Sequence, residues 1–448
     1  MAEVRQTPRQ EREALAKEIL SLSQADETEV SIASTDASLT RFTHETFNQN
    51  VAAKANDVSI RAIVGGRTGV ASSNLLAEEP RALIERAVAI ARLSPRDPML
   101  PPLPAGVAPP TPARAFVDAT ARATPNERAK QCELIFAAAE EAGCWCAGYS
   151  STSSTGFTVA NTNGALSSFD GTDAAVNVKM IGADASGWAE SHSSDVGLVD
   201  AGTAGRRAAE KARAGAAPRD ADPGMWTVVL EPAAFGELFA YLGAHFSAQN
   251  YDEGSSFCSQ GLDRPYFAEN VCVYDDYAHP LHPGMPFDFE GYPTQRLTLV
   301  ENGVVRNVVT DSYYARRLAR DNTGHALPAP NAYGPQARNL VVAAGTLTLD
   351  ELIATTRRGI LVTRFWYIRT VDQKKAIVTG MTRDGTFLIE GGRVVAGLRN
   401  LRFNQSILEA LRACTFSSEQ RRTASYGYDL VVPAARIERF NFTSGTEF

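Results

Sequence analysis

A displacement of 118 positions lays "SIRAIVGGRTGVASS" (59–73) on "NVKMIGADASGWAES" (177–191). Gly69 then falls on Gly187, and apolar Ile60 and Ile63 fall on Val178 and Ile181. The elements around the two segments recur in the same order, which constrains the fold more than any other feature, because whatever one copy forms the other must form too. In the first unit, about residues 9–95, "RQEREALAKEILSLS" carries apolar residues at helical spacing among charges. "EVSIAST", "LTRFTH", "NQNVAAKA", "VSIRAIVGG" and "RTGVASS" follow as short alternating segments, the pattern of an antiparallel meander. "EEPRALIERAVAIARLS" then returns to helix. In the second unit, about 124–215, "PNERAKQCELIFAAAEEAG" is helical, "CWCAGYSS", "GFTVANT", "ALSSFDG", "AAVNVKMIG" and "SGWAESH" read as strands, and "AGTAGRRAAEKARAG" closes as helix. Between the units the prolines of 95–113 predict an extended linker.

The pattern breaks at "AAPRDADPGMWTVVLEP", residues 216–232. Beyond it the chain is richer in strands. "RLTLVENGVVRNVV" holds Asn302-Gly303 between apolar runs, a strong hairpin signal. "GILVTRFWYIRTV", "KKAIVTGMT", "TFLIEGG" and "RVVAGLRNLRFN" continue the sheet pattern, and in the first of these Phe365 and Tyr367 are expected on one face and Trp366 on the other. "TLDELIATTRRG" predicts a short helix with Thr348 as N-cap and Glu351 three residues on. At 448 residues the chain exceeds one comfortable core. The expectation is an α+β protein: an N-terminal α/β domain (1–220) built on the repeated helix–meander–helix unit, and a β-rich C-terminal domain (221–448).

Lys and Arg number 44 against 51 Asp and Glu, a net charge of −7, which argues against a nucleic-acid partner. No apolar run reaches the length of a membrane span, so no membrane partner is expected. "MAEVRQTPRQEREALAKEIL" lacks the apolar core of a signal peptide, and the expected location is cytoplasmic. The six cysteines form no CxxC pair, so neither a zinc ribbon nor a redox pair is indicated. Cys144 and Cys146, on one strand face, read as buried free thiols.

Chemistry does not declare itself in short motifs. His279 and His282 have H-x-x-H spacing but lie in the Pro-rich "AHPLHPG", where nothing fixes them for a metal. His44, His192 and His325 read as surface or hydrogen-bonded residues. "PFDFEGYPTQR" is the most distinctive run: Asp288 and Glu290, two apart, would point the same way if extended, with Gly291 next. Such a pair serves acid–base work, or caps and salt-bridges a turn. There is no GxSxG, and "VGGRTGVASS" lacks the lysine of a phosphate loop. "ELFAYLGAHFSAQNYDEGSS" (237–256) reads as an apolar helix carrying His245 near its end.

Longer segments carry a resemblance. "FTVANTNGALSSFDG", "WTVVLEPAAFGEL", "DEGSSF", "PFDFEGYPTQRLTLVENGVVRNVVTDSYYARRL", "NTGHA", "NLVVAAGTLTLDELIATTRRGILVT" and "VPAARIERFNF" occur in the order found in the TldD/PmbA family, and the chain resembles its TldE (PmbA) branch. The resemblance implies an N-terminal α/β domain on a repeat and a β-rich C-terminal domain. The TldD branch holds zinc with an H-E-x-x-x-H helix and a later cysteine. That helix falls here on Ala240, Tyr241, Leu242, Gly243, Ala244 and His245, so only the last ligand is matched. Where the cysteine would stand, shortly before "VVP", this chain has "ASYGYDL". One imidazole does not make a catalytic zinc site, which takes three protein ligands and a water. The resemblance therefore implies no catalytic, cofactor or metal residue in this chain, degenerate zinc-helix positions at Ala240, Tyr241 and His245, and a structural or peptide-binding role for Asp288, Glu290 and Gly291. It implies a TldD-like, zinc-bearing partner subunit and unfolded or extended peptide substrates. The rival expectations are a peptide-binding homodimer without a peptidase partner, and an active peptidase with His245, His279 and His282 as unorthodox ligands.

Overall fold

The computed structural model describes residues 7–74, 79–106, 108–425 and 428–446. The first unit runs α1 (Arg9–Leu22), β1 (Glu27–Thr43), β2 (Thr46–Val64), β3 (Arg67–Ser73) and α2 (Pro80–Leu93). After the proline segment and a one-turn α3 (Asp118–Ala121), the second unit runs α4 (Pro125–Ala142), β4 (Trp145–Asn161), β5 (Leu166–Ile181), β6 (Ser186–Ser193) and α5 (Ala201–Ala214). The six strands form one sheet in the order β3-β2-β1-β4-β5-β6, two meanders back to back. Away from the β1–β2 turn, where an extra residue in β2 (Asn48) has no equivalent in β5, the cross-strand pairs of the first meander recur 118 positions on: Gly69 lies opposite Ala62 and Gly187 opposite Met180. At the junction Asp36 faces Ser154, its own counterpart, so the repeat sits about an approximate two-fold axis between β1 and β4. Both glycines do the same job. A Cβ on Gly69 would lie 2.2 Å from the Ala87 carbonyl oxygen of α2, and one on Gly187 would lie 2.1 Å from the Ala208 carbonyl oxygen of α5. Only a bare backbone lets each closing helix lie directly on its last strand.

Local chemistry explains several boundaries. Thr124 and Glu127 form a reciprocal capping box at the start of α4, Pro125 occupies its first turn, and Gly143 ends it in the left-handed region at φ 64°. Five strand-like segments per unit are three long strands, because the chain turns less often than its polar breaks suggest. The turn between β1 and β2 is made by His44 and Glu45, both at positive φ. It lacks the expected Asn or Gly; the His44 ring instead stacks on Trp145 at 4.1 Å, and Glu45 accepts the Cys146 amide at 3.1 Å. The proline segment is strapped down rather than free. Leu103 is buried, its N–H donates to Glu27, and Arg316 donates to the Leu100 carbonyl, so this stretch touches both halves; Val107 lies outside the described residues.

The second half contains β7 (Gly224–Leu230), α6 (Pro232–Gly243), α7 (Ala248–Asp252), β8 (Arg264–Pro265), β9 (Val273–Asp275), β10 (Leu297–Glu301), β11 (Val304–Val305), α8 (Ser312–Leu318), β12 (Asn339–Val342), α9 (Leu349–Ala354), β13 (Arg358–Asp372), β14 (Ile377–Glu390), β15 (Arg393–Gly397), β16 (Leu401–Ser406), β17 (Cys414–Ser425) and β18 (Tyr428–Gly445). β14, β13, β7, β18 and β16 pair in a closed ring, since β16 bonds both β14 and β18. Phe365, Phe403 and Phe440 fill it, with ring centroids 4.7–5.7 Å apart. The Asn302-Gly303 hairpin forms, with both residues at positive φ, and Thr348 and Glu351 make the expected capping box. The alternation expected along Phe365, Trp366 and Tyr367 fails. The register slips between Trp366 and Arg369 and Tyr367 takes φ 55°, so Phe365 is buried while Trp366 and Tyr367 are 47% and 60% exposed. Both exposed rings lie under guanidinium groups, Arg383 over Trp366 and Arg369 over Tyr367.

Candidate functional site

Helix α6 packs between the barrel strand β13 and the β17–β18 pair, and most of its residues are buried. A helix apolar on nearly every face reads as a core helix. Gly236 and Gly243 allow the approach: a Cβ at Gly243 would stand 2.6 Å from the Tyr428 ring. Ala240 is enclosed among apolar side chains. Tyr241 is half-buried and its hydroxyl donates to the Ile368 carbonyl at 2.6 Å. His245 lies just past the helix in a 3₁₀ turn (Ala244–Phe246), 3% exposed, against the Phe257 ring. Its Nδ1 accepts the Phe257 amide at 3.4 Å, and burial pulls its pKa down to about 4. The three positions expected to be degenerate thus have no free donor set: one is a methyl group, one a hydroxyl bonded to a carbonyl, one an imidazole bonded to an amide. These residues do not fit a zinc ion. Tyr426 and Gly427 of "ASYGYDL" lie outside the described residues.

Replacing His245 by Gln keeps a hydrogen-bonding side chain in this pocket. Were His245 the unorthodox metal ligand of the rival expectation, His245→Gln would abolish any metal-dependent activity; as a packed, hydrogen-bonded residue it is expected to change such activity by no more than a few-fold, and steady-state rates decide.

His279 and His282 sit in a tight loop, where the His279 ring accepts the Leu281 amide at 3.3 Å and His282 Nε2 lies 3.8 Å from Asp429. Burial and the nearby Arg422 push the His282 pKa down to about 4. Among the described residues no three His, Cys, Asp or Glu side chains are grouped to hold a metal. His192 bonds Glu190 at 2.8 Å; burial pulls its pKa down, but Glu190 outweighs that and leaves it raised. Of the two readings of His325, the hydrogen-bonded one holds: it is buried between Thr323, at 2.9 Å, and Asp275. All six cysteines are free thiols, and Cys144 is only half-buried.

Asp288 and Glu290 do not share a direction, because the run from 288 to 291 is a turn rather than a strand. Asp288 folds back to accept the amides of Glu290, Tyr292 and Ala326 at 2.9–3.0 Å. Burial and the neighbouring Glu290 raise its pKa well above the usual carboxylate range. Gly291, at φ 79°, lies against Val159 of β4. Glu290 points the other way, to Arg61 of β2 at 3.2 Å, and Arg61 also holds Glu29 of β1 at 2.7 Å. One guanidinium therefore ties the first sheet to this turn.

A second polar seam joins the sheets beside α6. Glu237 accepts the Phe365 amide and lies 3.4 Å from Arg364. Burial raises its pKa to about 7, more than Arg364 and the amide lower it. Arg364 stacks over Trp188 of β6 at 4.7 Å. Glu190 accepts from Thr423, and Arg422 bridges Asp173 of β5 to Asp429 of β18. Glu237 carries a signal that was readable: it is the one charged residue inside "AAFGELFAYLG". Arg364, Arg422 and Asp429 gave none, since their partners are distant in sequence.

Two family models match the chain: the PmbA/TldA metallopeptidase C-terminal domain over residues 223–444, and PmbA/TldA metallopeptidase domain 1 over residues 29–91. Among curated proteins, the chain is 25% identical to a metalloprotease TldD homolog of Buchnera aphidicola over 198 residues, 43% of this chain and 41% of that one. It is 24% identical to the metalloprotease PmbA of Escherichia coli O157:H7 over 161 residues, 35% and 33% of the two chains. These matches span less than half of the relatives' length. The fold is similar over the full chain to TldE from Thermococcus kodakarensis, with a TM-score of 0.86 at 20% identity, covering 96% of this chain and 99% of that one. A protein of Thermotoga maritima described as a putative modulator of a DNA gyrase has the same TM-score at 18% identity, covering 96% and 100%.

Proposed function

From the premise that this chain belongs to the PmbA/TldD metallopeptidase family, we propose that it is a TldE-like, non-catalytic subunit of a heteromeric zinc peptidase. Its partner is a TldD-like chain, which holds the zinc, and its substrates are unfolded or extended peptides that the complex degrades or trims. We place the complex in the cytoplasm; no described helix is long and apolar enough to cross a membrane. The observation that carries the reading is the state of Ala240, Tyr241 and His245. The alanine offers no donor, and the other two are bonded to backbone groups of this same chain. In the partner, zinc would polarise the scissile carbonyl and activate water. This chain closes the space where the peptide lies, and an extended peptide is gripped by sheet-edge backbone groups that ask little of its sequence.

The purified chain is expected to carry no stoichiometric zinc by elemental analysis and to cleave no unstructured peptide alone. Mixed with a zinc-bearing TldD-like chain, it should raise the cleavage rate by at least about tenfold, equivalent to about 1.4 kcal/mol of barrier. A zinc-bearing chain fully active alone, with rate and cleavage pattern unchanged by the addition, would refute the reading.

A further inference from the structure

Helices α1 and α4 pack on one face of the first sheet, where Arg12 donates to Thr158 and Arg128 to Thr152 of β4. Alternation turns Ser153, Thr155 and Phe157 to the other face. The 288–291 turn covers one end of that face, with Phe289 edge-on to Phe157 at 4.9 Å. To one side Arg422 of β17 reaches Asp173, which lies opposite Ser153. Between these contacts Thr155 is exposed, and Ser153 and Thr35, the partner of Thr155 in β1, are half-buried. Their three hydroxyls make no protein hydrogen bond among the described residues. The guanidinium of Arg338, the residue before β12, lies 4.6 Å over the Phe289 ring. Arg338 is exposed, yet the protein around it lowers its pKa by desolvation, as in a recess rather than on a convex surface. Among the described residues it has no hydrogen bond or ion pair. The carboxylates whose charge acts on it are bonded elsewhere: Asp275 to Asn339 and His325, Asp429 to Arg422, and Asp288 to three amides.

We infer that Arg338 binds a carboxylate, and that the group it takes is the C-terminal carboxylate of an extended peptide lying on this sheet face, a contact that rests on the peptide reading above. A guanidinium offers five donors in a fixed fork that matches a carboxylate with two parallel hydrogen bonds. The Phe289 ring holds the fork from one side and leaves its edge free for the ligand. A phosphate dianion suits the place less well, because Asp275 and Asp429 act on the same guanidinium and would repel a second negative charge. The short hydroxyl side chains of Thr35, Ser153 and Thr155 let a peptide backbone approach closely and give it hydrogen-bonding partners. Beyond Thr155 the face is closed, by Phe157 under Phe289 and then by buried Val159. A chain lying along β4 therefore ends beside Arg338, which favours a terminal carboxylate over one on a side chain.

The test measures fluorescence anisotropy of short, unstructured, N-terminally labelled Gly/Ser/Ala peptides on the full chain. Three peptides are compared: a free acid, its C-terminal amide, and the amide with one internal glutamate. The free acid is expected to bind about tenfold or more tighter than either amide. Arg338→Gln should abolish that preference and leave the circular dichroism spectrum unchanged, since Arg338 is exposed. Equal binding of free acid and plain amide overturns the inference, as does no binding of any of the three or a preference that survives Arg338→Gln. A glutamate-bearing amide that binds as tightly as the free acid overturns the terminal carboxylate and assigns Arg338 to side-chain carboxylates. The mixing experiment above stays distinct: a chain that accelerates its zinc-bearing partner but ignores the carboxylate sinks the Arg338 site and leaves the subunit reading standing.

Discussion

Gly187→Val is expected to unfold the chain or lower its stability by about 3 kcal/mol or more, and Gly69→Val to do the same in the other repeat. The Cβ alone would stand 2.1 Å from the Ala208 carbonyl oxygen and 2.6 Å from the Ala212 nitrogen. These are backbone atoms of α5, which cannot swing away as a side-chain tip can. Relief requires lifting the helix off β6, which opens the contacts of Ala204, Ala208 and Ala212 with the apolar cluster around Val176 and Val178. Restricting the unfolded chain returns only about 0.4–1 kcal/mol, so the clash decides the sign. Gly445, with nothing within 4 Å of its Cβ position, is the control, and Gly445→Ala should be neutral to within about 0.5 kcal/mol. Thermal melts of the three variants check this. A Gly187→Val melt near that of wild type would refute the packing argument.

The second large effect is at Arg61. Arg61→Met removes the one cation between Glu29 and Glu290, both less than a tenth exposed, and should cost about 3–5 kcal/mol at neutral pH and above. The two sides of this contact give different impressions: Arg61 is held above its ordinary pKa by the carboxylates, while Glu29 is raised to about 7 by burial, which outweighs Arg61. The arrangement reconciles them, because one guanidinium faces two carboxylates and leaves one negative charge uncompensated. The sign of the pH dependence follows. A carboxylate whose folded pKa exceeds its unfolded value binds more protons when folded, so its contribution is full below 4.5 and is lost as pH rises through 7. Glu237, also raised to about 7, acts in the same direction. His245 and His282, lowered to about 4, act oppositely, but only as pH falls below 6.5. Wild-type stability is therefore expected to fall as pH climbs from 6.5 through about 7.5. The penalty of Arg61→Met should shrink below neutrality as Glu29 takes up its proton, and Glu29→Gln should flatten the wild-type slope. A flat wild-type melting profile across this window, or an Arg61→Met penalty that grows on acidification, would contradict the account.

What the sequence determined by itself was what local rules govern. The displacement that lays Gly69 on Gly187 predicted a repeat whose register holds strand by strand, because a helix lying on a strand needs the same bare backbone in each copy. Asn302-Gly303 and the Thr348–Glu351 box were legible because turn and cap chemistry is complete within four residues. Only the tertiary structure decided the rest. The His44-Glu45 turn is stabilised by Trp145 and Cys146, about a hundred positions away, so no local residue announced it. Barrel closure through β16 depends on pairings with β14 and β18 that a strand's own pattern does not encode. The slip at Tyr367 broke an alternation that the sequence showed intact. Asp288 and Glu290 diverge because a turn replaced the assumed strand, and Glu290 found its cation in the first sheet. Glu237 stood alone in an apolar helix until folding brought Arg364 to it. Side-chain periodicity reports which face is buried, whereas charge partners and sheet closure are set by contacts between segments far apart in the chain.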